Sequence, residues 1–421
     1  MARAAVREKL TAHLPQLSLA ERDRRWAGLR EAMGRRGLDC LLVWGTDRFY
    51  ALGTANLRYL THIAAKQGIC CFPRRGDPVA FVENIHMYHP YPPYLLSQDW
   101  VAEVRPLTGI DALAGVVRDL GQARGRLGIV GYGSALQQHI IAYQEYEALR
   151  EALPGAELVD ATDVLDELRL IKSPEEIALL ERSGRLAAAM VEALLAAARP
   201  GVRECEVYAE MVRAHIAAGG EPYIFCFFSA DPVDTCERYL LHARPQPLAP
   251  TTRPLRAGDL VLTEFHASCG GYLTGVEFSA FVGPPPGELA RVHAVAVESL
   301  QSGVERLRPG APLREVWEAF RRPVQEAGMD YIECGFHGHG LGSPEFPTVV
   351  YKPEEPVLSG RGLEAFTLRA GMVLALNIDI NDPHWRKDVG IMLGDTVVVG
   401  EDGPRRLAEI PLHFPQLPAE G

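Results

Sequence analysis

A short segment that occurs twice in the second half of the chain most constrains the fold. "LRAGDLVLTEF" begins at Leu255 and recurs as "LRAGMVLALNI" from Leu368, so four identical residues precede two similar apolar stretches. Upstream of the copies, "RPGVRECEV" from Arg199 and "RPGAPLREV" from Arg308 each follow a helical pattern. The repeated order of helix, turn, helix and strand predicts a duplicated α+β unit that closes around a shared cleft.

The first copy of the repeat opens a hairpin that carries two acidic residues. The stretch from Gly258 to Gly283, "GDLVLTEFHASCGGYLTGVEFSAFVG", is typical of a strand, a Gly-Gly turn and a second strand. It contains Glu264 and Glu277, and the repeat aligns Glu264 with Asn377. We therefore expect Glu264 and Asn377 to face one cleft from pseudo-symmetric strands.

The first part of the chain, residues 20–170, alternates helix and strand patterns. Apolar Trp26, Leu29 and Met33 recur at helical spacing, and the pattern stops at Gly37. "LDCLLVW" follows as a buried strand, and "PVAFVEN" and "RLGIVGY" are further strand candidates. This alternation predicts an α/β domain.

A strong helix start marks the boundary between the two parts. Ser173 can cap the helix, Pro174 suits its first position, and Glu176 completes a capping box. The sequence therefore predicts an α/β domain at residues 1–168 and the duplicated α+β domain at residues 169–421.

Composition and charge exclude several classes of protein. The formal net charge of −11 lacks the basic surface of a nucleic-acid-binding protein. The longest apolar stretch, "AAAMVEALLAAA", is too short to span a membrane and is interrupted by Glu192, and the N-terminus has no apolar core of a signal peptide. The eight cysteines are scattered without a CxxC pair, which predicts reduced thiols and a cytoplasmic protein. A small molecule is the expected partner.

Five segments together resemble one known superfamily: "LRLIKSPEEIALLERSG", "RPGVRECEV", "LRAGDLVL", "GHGLG" and "LGDTVVVGEDG". They are similar to creatinase, prolidase and methionine aminopeptidase, and the similarity covers nearly the whole chain. The resemblance implies a creatinase-like N-terminal α/β domain, followed by an α+β catalytic domain of the pita-bread fold with an internal pseudo-two-fold repeat. It also implies a homodimer.

The metallopeptidases of that superfamily bind two divalent ions through two aspartates, one histidine and two glutamates. The resemblance places these ligands, in this chain, at Glu264, Gly275, His339, Asn377 and Gly394. Glycine has no side chain to donate, and a neutral amide is a poor ligand for a hard divalent ion. The resemblance thus implies that the two-metal centre is incomplete.

Shifted carboxylates leave a single-metal site open as an alternative. Glu277 lies two residues after Gly275, and Asp379 lies two after Asn377. Because residues i and i+2 of a strand share a face, both carboxylates can point into the cleft. Together with Glu264 and His339 they would form a site for one divalent ion.

The similarity is closest to the metal-free, creatinase-like branch, which implies that no metal or other cofactor is used. In that branch a glutamate stands where Glu277 stands here, and an upstream histidine transfers protons, a role for which "LLHARPQPLAP" offers His242. The second catalytic glutamate of creatinase is replaced by Asn377, which argues against creatine itself as the substrate because a guanidinium binds best to paired carboxylates.

These residues predict a metal-independent hydrolase of a C–N bond, amide or amidine, in a small polar substrate. The predicted catalytic residues are His339, Glu277, His242 and Glu264. The predicted substrate-binding residues are Tyr272, Glu345, Asn377, Asp379 and His337. Asp395 is expected to make a structural hydrogen bond. Two alternatives are a metal-dependent Xaa-Pro-type peptidase or lyase of the same fold, and a non-catalytic binding module.

Overall fold

The computed structural model describes residues 2–46, 52–83, 98–131, 141–221, 226–232, 250–349, 363–387 and 389–420, with the backbone alone at 2–3, 226–232 and 348–349. The chain divides into two compact units, Met1–Arg169 and Leu170–Gly421. The boundary predicted from the sequence is at 168/169. No helix among the described residues is both long and apolar enough to cross a membrane.

The first unit is built on a six-stranded mixed sheet in the order β4-β3-β2-β1-β5-β6. Its strands are β1 (Cys40–Thr46), β2 (Gln67–Pro73), β3 (Val79–Val82), β4 (Glu103–Pro106), β5 (Arg126–Val130) and β6 (Glu157–Asp160). Its helices are α1 (Ala2–Thr11), α2 (Leu19–Arg36), α3 (Ala55–Thr61), α4 (Ile110–Asp119), α5 (Tyr143–Ala152) and α6 (Thr162–Arg169). The predicted α/β architecture is confirmed.

The sequence of helix α2 determines its buried face and both of its ends. Trp26, Leu29 and Met33 are buried on one face, as their spacing predicts. Ser18 caps the start by accepting a hydrogen bond from the backbone of Glu21. Gly37 ends the helix at φ 63°, a left-handed conformation that glycine adopts without steric cost.

The described residues of the second unit form two sheets. Their orders are β16-β9-β8-β7 and β11-β10-β12-β14-β15, with β13 also paired to β12. The strands are β7 (Cys226–Pro232), β8 (Asp259–Cys269), β9 (Tyr272–Val282), β10 (Asp330–Gly338), β11 (Glu345–Val349), β12 (Val373–Asn381), β13 (Gly390–Leu393), β14 (Thr396–Gly400), β15 (Gly403–Arg406) and β16 (Gln416–Leu417). The helices are α7 (Pro174–Ala197), α8 (Glu204–Ala217), α9 (Gly287–Val304) and α10 (Leu313–Glu326).

The sequence repeat is also a structural repeat. The backbone N–H of Gly201 donates to the carbonyl of Leu255 at 2.9 Å, and that of Gly310 donates to the carbonyl of Leu368 at 2.8 Å. In each half, therefore, the glycine of "RPG" is hydrogen-bonded to the leucine of "LRAG". This matching contact confirms the duplicated unit, because it joins the same turn to the same strand entry in both halves.

The start of α7 has the predicted cap. The Ser173 side chain accepts from the backbone N–H of Glu176, and the Glu176 carboxylate accepts from that of Ser173. Pro174 occupies the first turn, where no backbone donor is needed. The cap fixes where the first helix of the second unit begins.

Candidate active site

The β8–β9 hairpin places two glutamates side by side. Glu264 and Glu277 are directly opposite each other in the antiparallel register, so their side chains share one face of the sheet. The pair two residues along on that face consists of His266 and Gly275. The hairpin therefore presents two carboxyls and one imidazole, with no side chain at Gly275.

Strands β10 and β12 supply further polar groups. Asn377 Nδ2 donates a 2.8 Å hydrogen bond to Glu277 Oε1. Two residues along β12, Asp379 is opposite Glu333 of β10. Glu277 is thus opposite Glu264 in the hairpin and hydrogen-bonded to Asn377, and the repeat aligns those two residues with each other.

Burial and mutual repulsion disfavour negative charge on these carboxyls. Desolvation, with added repulsion from Glu333, raises the pKa of Glu264 from 4.5 to about 8. Desolvation raises the pKa of Glu277 well above its usual value, Glu264 and Glu333 raise it further, and the hydrogen bond from Asn377 lowers it. Glu277 is buried, whereas Glu264 and Glu333 are partly exposed. A cation bound here would offset the repulsion.

Three buried histidines form a second group. The ring centroid of His339 lies 5.0 Å from that of His266 and 5.5 Å from that of His337. Ser343 Oγ lies 3.4 Å from both His266 Nε2 and His339 Nδ1. His337 Nδ1 lies 2.9 Å from the carbonyl oxygen of Gly338, so this nitrogen carries a proton and donates it. His266 belongs to both this group and the hairpin face.

Burial keeps these imidazoles neutral. Desolvation lowers the pKa of His266 from 6.5 to about 3 and that of His337 to about 4. It also lowers the pKa of His339 well below 6.5, and the neighbouring His266, His337 and Lys172 add to the effect. His339 Nε2 has no hydrogen-bond partner among the described residues. A neutral ring with an open nitrogen can accept a proton.

The side chains present do not fit the two-metal centre of the related metallopeptidases. Gly275 and Gly394 contribute no side chain, and the Asn377 amide is bonded to Glu277. The described residues include all four ligands of the single-ion alternative. Yet they contain no group of three or more His, Cys, Asp and Glu residues that could hold a metal ion.

Both glycines are closely surrounded. A Cβ atom added to Gly394 would lie 2.2 Å from the carbonyl oxygen of Leu376, inside any real contact distance. One added to Gly275 would lie 3.1 Å from His339 Cε1 and 3.2 Å from His266 Cδ2. A ligand restored at position 394 would therefore displace backbone, and one at position 275 would displace two imidazoles.

A buried ion pair neutralises Glu345. Lys172 Nζ donates to Glu345 Oε2 at 2.9 Å, and the backbone N–H of Gly342 donates to Oε1 at 2.8 Å. Both charged side chains are at most 3% exposed. Both carboxylate oxygens of Glu345 therefore have partners within the protein, and its role in substrate binding stays a prediction.

Comparison with known families identifies the chain. The model of metallopeptidase family M24 matches residues 178–401, more than half of the sequence, and the creatinase/prolidase N-terminal domain matches residues 25–171. The chain belongs to metallopeptidase family M24. This M24 member is a hydrolase with the pita-bread fold preceded by a creatinase-type N-terminal domain.

Individual relatives are distant but similar over long stretches. An uncharacterised peptidase of Bacillus subtilis is 24% identical over 383 residues, 91% of this chain and 97% of its own. An ectoine hydrolase of Halomonas elongata is 23% identical over 66% of this chain and 68% of its own. The solved structure of an Xaa-Pro dipeptidase from Bacillus anthracis has a TM-score of 0.74 at 22% identity, covering 94% of this chain and all of that one, which shows the shared fold.

The remaining residues singled out from the sequence of this M24 member are Tyr272, Asp395 and His242. The Tyr272 hydroxyl donates to Glu176 Oε1 at 3.0 Å in the core, a hydrogen bond that joins β9 to α7. Its role in substrate binding stays a prediction. Asp395 accepts from Arg406 Nε at 2.8 Å, which is the structural role predicted for it. His242 lies outside the described residues.

Four residues near the predicted site were missed from the sequence: His266, Glu333, Ser343 and Lys172. His266 had a usable signal, because it stands two residues after Glu264 on the same face of a predicted strand. Glu333 is recognisable only through its pairing with Asp379. Ser343 and Lys172 carry no signal in their spacing, because packing alone places them.

Proposed function

We propose that this M24 hydrolase cleaves a C–N bond, amide or amidine, in a small polar substrate without a metal ion. The observation that carries the proposal is a set of buried atoms with no partner among the described residues: Glu277 Oε2, Asn377 Oδ1 and His339 Nε2. Buried polar atoms ordinarily have hydrogen-bond partners. Buried polar atoms without a partner therefore indicate a place where a polar molecule binds.

His339 is the proposed general base. Burial and three neighbouring groups lower its pKa, so the ring is neutral at neutral pH. Its Nε2 takes a proton from water, and the water oxygen forms a bond to the carbon of the scissile C–N group. This assignment requires the Nε2 lone pair to be free, which agrees with the absence of a partner among the described residues.

Glu277 is the proposed general acid. Desolvation and repulsion from Glu264 and Glu333 raise its pKa well above the usual value, which favours the protonated carboxyl. Its Oε2 gives the proton to the leaving nitrogen as the C–N bond breaks, while the Asn377 amide holds Oε1. Glu264, with a pKa of about 8, is a second proton donor beside it. His242 is a further proposed catalytic residue on the basis of the resemblance alone.

Asn377, Asp379 and His337 are the proposed substrate-binding residues. The Asp379 carboxyl can bind a positive group of the substrate, so that Glu277 and Glu264 keep the protons that they donate. The ectoine hydrolase and the Xaa-Pro dipeptidases among the relatives support the class of reaction.

Metal analysis combined with turnover tests this proposal. The purified protein is assayed on Xaa-Pro dipeptides, ectoine and linear amidines before and after exhaustive chelation, and its metal content is measured by mass spectrometry. We expect substoichiometric metal and unchanged turnover. Tightly bound stoichiometric metal that is needed for turnover would establish the metallopeptidase alternative instead.

Substitution of the two proposed proton-transfer groups tests the assignment of roles. Glu277→Gln and His339→Gln are each expected to lower kcat about 10²- to 10⁴-fold in a folded protein. If the unsubstituted protein binds one of these test compounds tightly but turns none of them over, the alternative of a non-catalytic binding module is favoured.

We also infer a cytoplasmic homodimer, which rests on the resemblance and on the scattered cysteines. Sedimentation velocity at several protein concentrations tests the assembly. A monomer at all concentrations would contradict it.

A further inference from the structure

Three buried side chains of the proposed site contact one another. Ser343 Oγ stands between two imidazoles, 3.4 Å from His266 Nε2 and 3.4 Å from His339 Nδ1. The side chains are 7%, 3% and 0% exposed in the order His266, Ser343, His339. The two rings are also in edge contact, with centroids 5.0 Å apart and planes at 85°. This contact restricts rotation of the His339 ring.

The serine hydroxyl couples the protonation of the two rings. It has one hydrogen, so it donates to one ring nitrogen and accepts from the other. If His339 is to take a proton at Nε2, its hydrogen must be on Nδ1 and directed at Ser343 Oγ. Ser343 then donates to His266 Nε2, and His266 carries its own hydrogen on Nδ1.

Gly275 makes room for this arrangement. It is paired with His266 across the hairpin, and a Cβ there would lie 3.2 Å from His266 Cδ2, 3.3 Å from His266 Nε2 and 3.1 Å from His339 Cε1. These distances are tighter than ordinary van der Waals contact, so any side chain at position 275 would push both rings. The glycine and the two histidines therefore form one packed unit.

We propose that His266 is a positioning residue, which acts through the Ser343 hydroxyl to hold His339 with Nδ1 protonated and the Nε2 lone pair open to the substrate. The packing requires the absence of a side chain at Gly275. This inference rests on the proposed hydrolysis, in which His339 is the base. It explains why the His339 ring presents Nε2 to the substrate and not Nδ1.

Nitrogen NMR of histidine-labelled protein tests the hydrogen-bond step without an assay of activity. The ring nitrogens of His339, assigned with His339→Gln, should show a protonated Nδ1 in the unsubstituted protein. Ser343→Ala should shift the ring toward the other tautomer, whereas the buried matched control Ser299→Ala should not. A protonated Nε2 in the unsubstituted protein, or no change in Ser343→Ala, overturns the proposal.

Kinetics test the positioning role. His266→Ala is expected to lower kcat about 10- to 100-fold with little change in KM, since misplacing a catalytic group by about 1 Å has effects of that size. His266→Gln, which can still bond to Ser343, should recover part of the loss. Equal losses in both variants, or a loss expressed only in KM, would contradict it.

Gly275→Ala tests the steric step, with Gly287→Ala as a control because a Cβ at position 287 meets nothing within 4 Å. The first should disturb the His339 nitrogen signals and lower kcat, and the second should do neither. If unsubstituted protein turns over no substrate, the proposed function fails while the NMR experiments still decide the tautomer.

Discussion

Asn377 donates a 2.8 Å hydrogen bond to Glu277, and the two residues come from opposite halves of the internal repeat. The backbones of the two halves also meet here, because Glu277 and Gly394 exchange hydrogen bonds of 2.9 and 3.2 Å. An amide at position 377 can donate to the carboxyl, which a second ionised carboxylate cannot do. The neutral Asn377 therefore suits a site in which Glu277 transfers a proton and does not bind a metal ion.

Replacing this amide by a carboxyl should destabilise the protein in a pH-dependent way. Asn377→Asp keeps the shape but removes the donor and adds a second acid beside Glu277. We expect a loss of about 1–3 kcal/mol in the free energy of unfolding at pH 8 and less at pH 5, where the added carboxyl can be protonated. Denaturant titration at both pH values measures it. Asn377→Ala adds no charge, so an equal pH dependence in that variant would contradict the explanation.

Several features of the fold were predictable because their causes are local. The capping box at Ser173 and Glu176, and the Gly-Gly turn of the hairpin, depend on neighbouring residues. The repeat was visible as identical sequence. The two-residue turn fixes the register of both strands and so places Glu277 opposite Glu264, a pairing that the sequence could have given.

The surroundings of the site were less predictable because they depend on contacts between distant segments. Tyr272 has the same sequence context whether its hydroxyl binds a substrate or Glu176, and only packing against α7 decides between them. The sequence around Glu345 likewise does not indicate that its partner is Lys172, which is 173 residues away. Sequence spacing reports which face a strand residue occupies, but not what lies opposite that face.

The raised pKa of Glu264 predicts a specific stability profile. Its folded-state pKa of about 8 exceeds the usual 4.5, so between these values the folded protein holds a proton that the unfolded chain has lost. The contribution of Glu264 to the free energy of unfolding is therefore most favourable below pH 4.5 and becomes less favourable as the pH rises toward 8. Glu264→Gln should reduce that fall in a comparison of denaturation midpoints at pH 5 and pH 8. Glu401→Gln, at an exposed turn, serves as the control and should follow the unsubstituted protein.

The buried pair between Lys172 and Glu345 predicts a strongly non-additive mutant cycle. Lys172→Met leaves a buried carboxylate without its cation, which is expected to cost about 3–5 kcal/mol of stability. Adding Glu345→Gln removes that charge while keeping an acceptor for the Gly342 backbone, so the double variant should recover much of the loss. Equilibrium unfolding of the four proteins gives the coupling energy. Arg213→Met, which breaks an exposed pair with Glu210, should cost less than about 1 kcal/mol.

Gly394 should tolerate no side chain, and this explains why the missing ligand cannot simply be restored there. A Cβ at this position would lie 2.2 Å from the Leu376 carbonyl oxygen and 3.1 Å from Glu277 Oε2, so β12 would have to move. We expect Gly394→Ala to lower stability by about 1–3 kcal/mol, the usual cost of overpacking, and Gly394→Glu to lower it more without creating metal affinity. Thermal denaturation and calorimetric titration with Mn²⁺ measure the two effects, with Gly287→Ala as the control. Stoichiometric Mn²⁺ binding by a folded Gly394→Glu variant would show that the backbone adjusts at little cost and that this steric account is wrong.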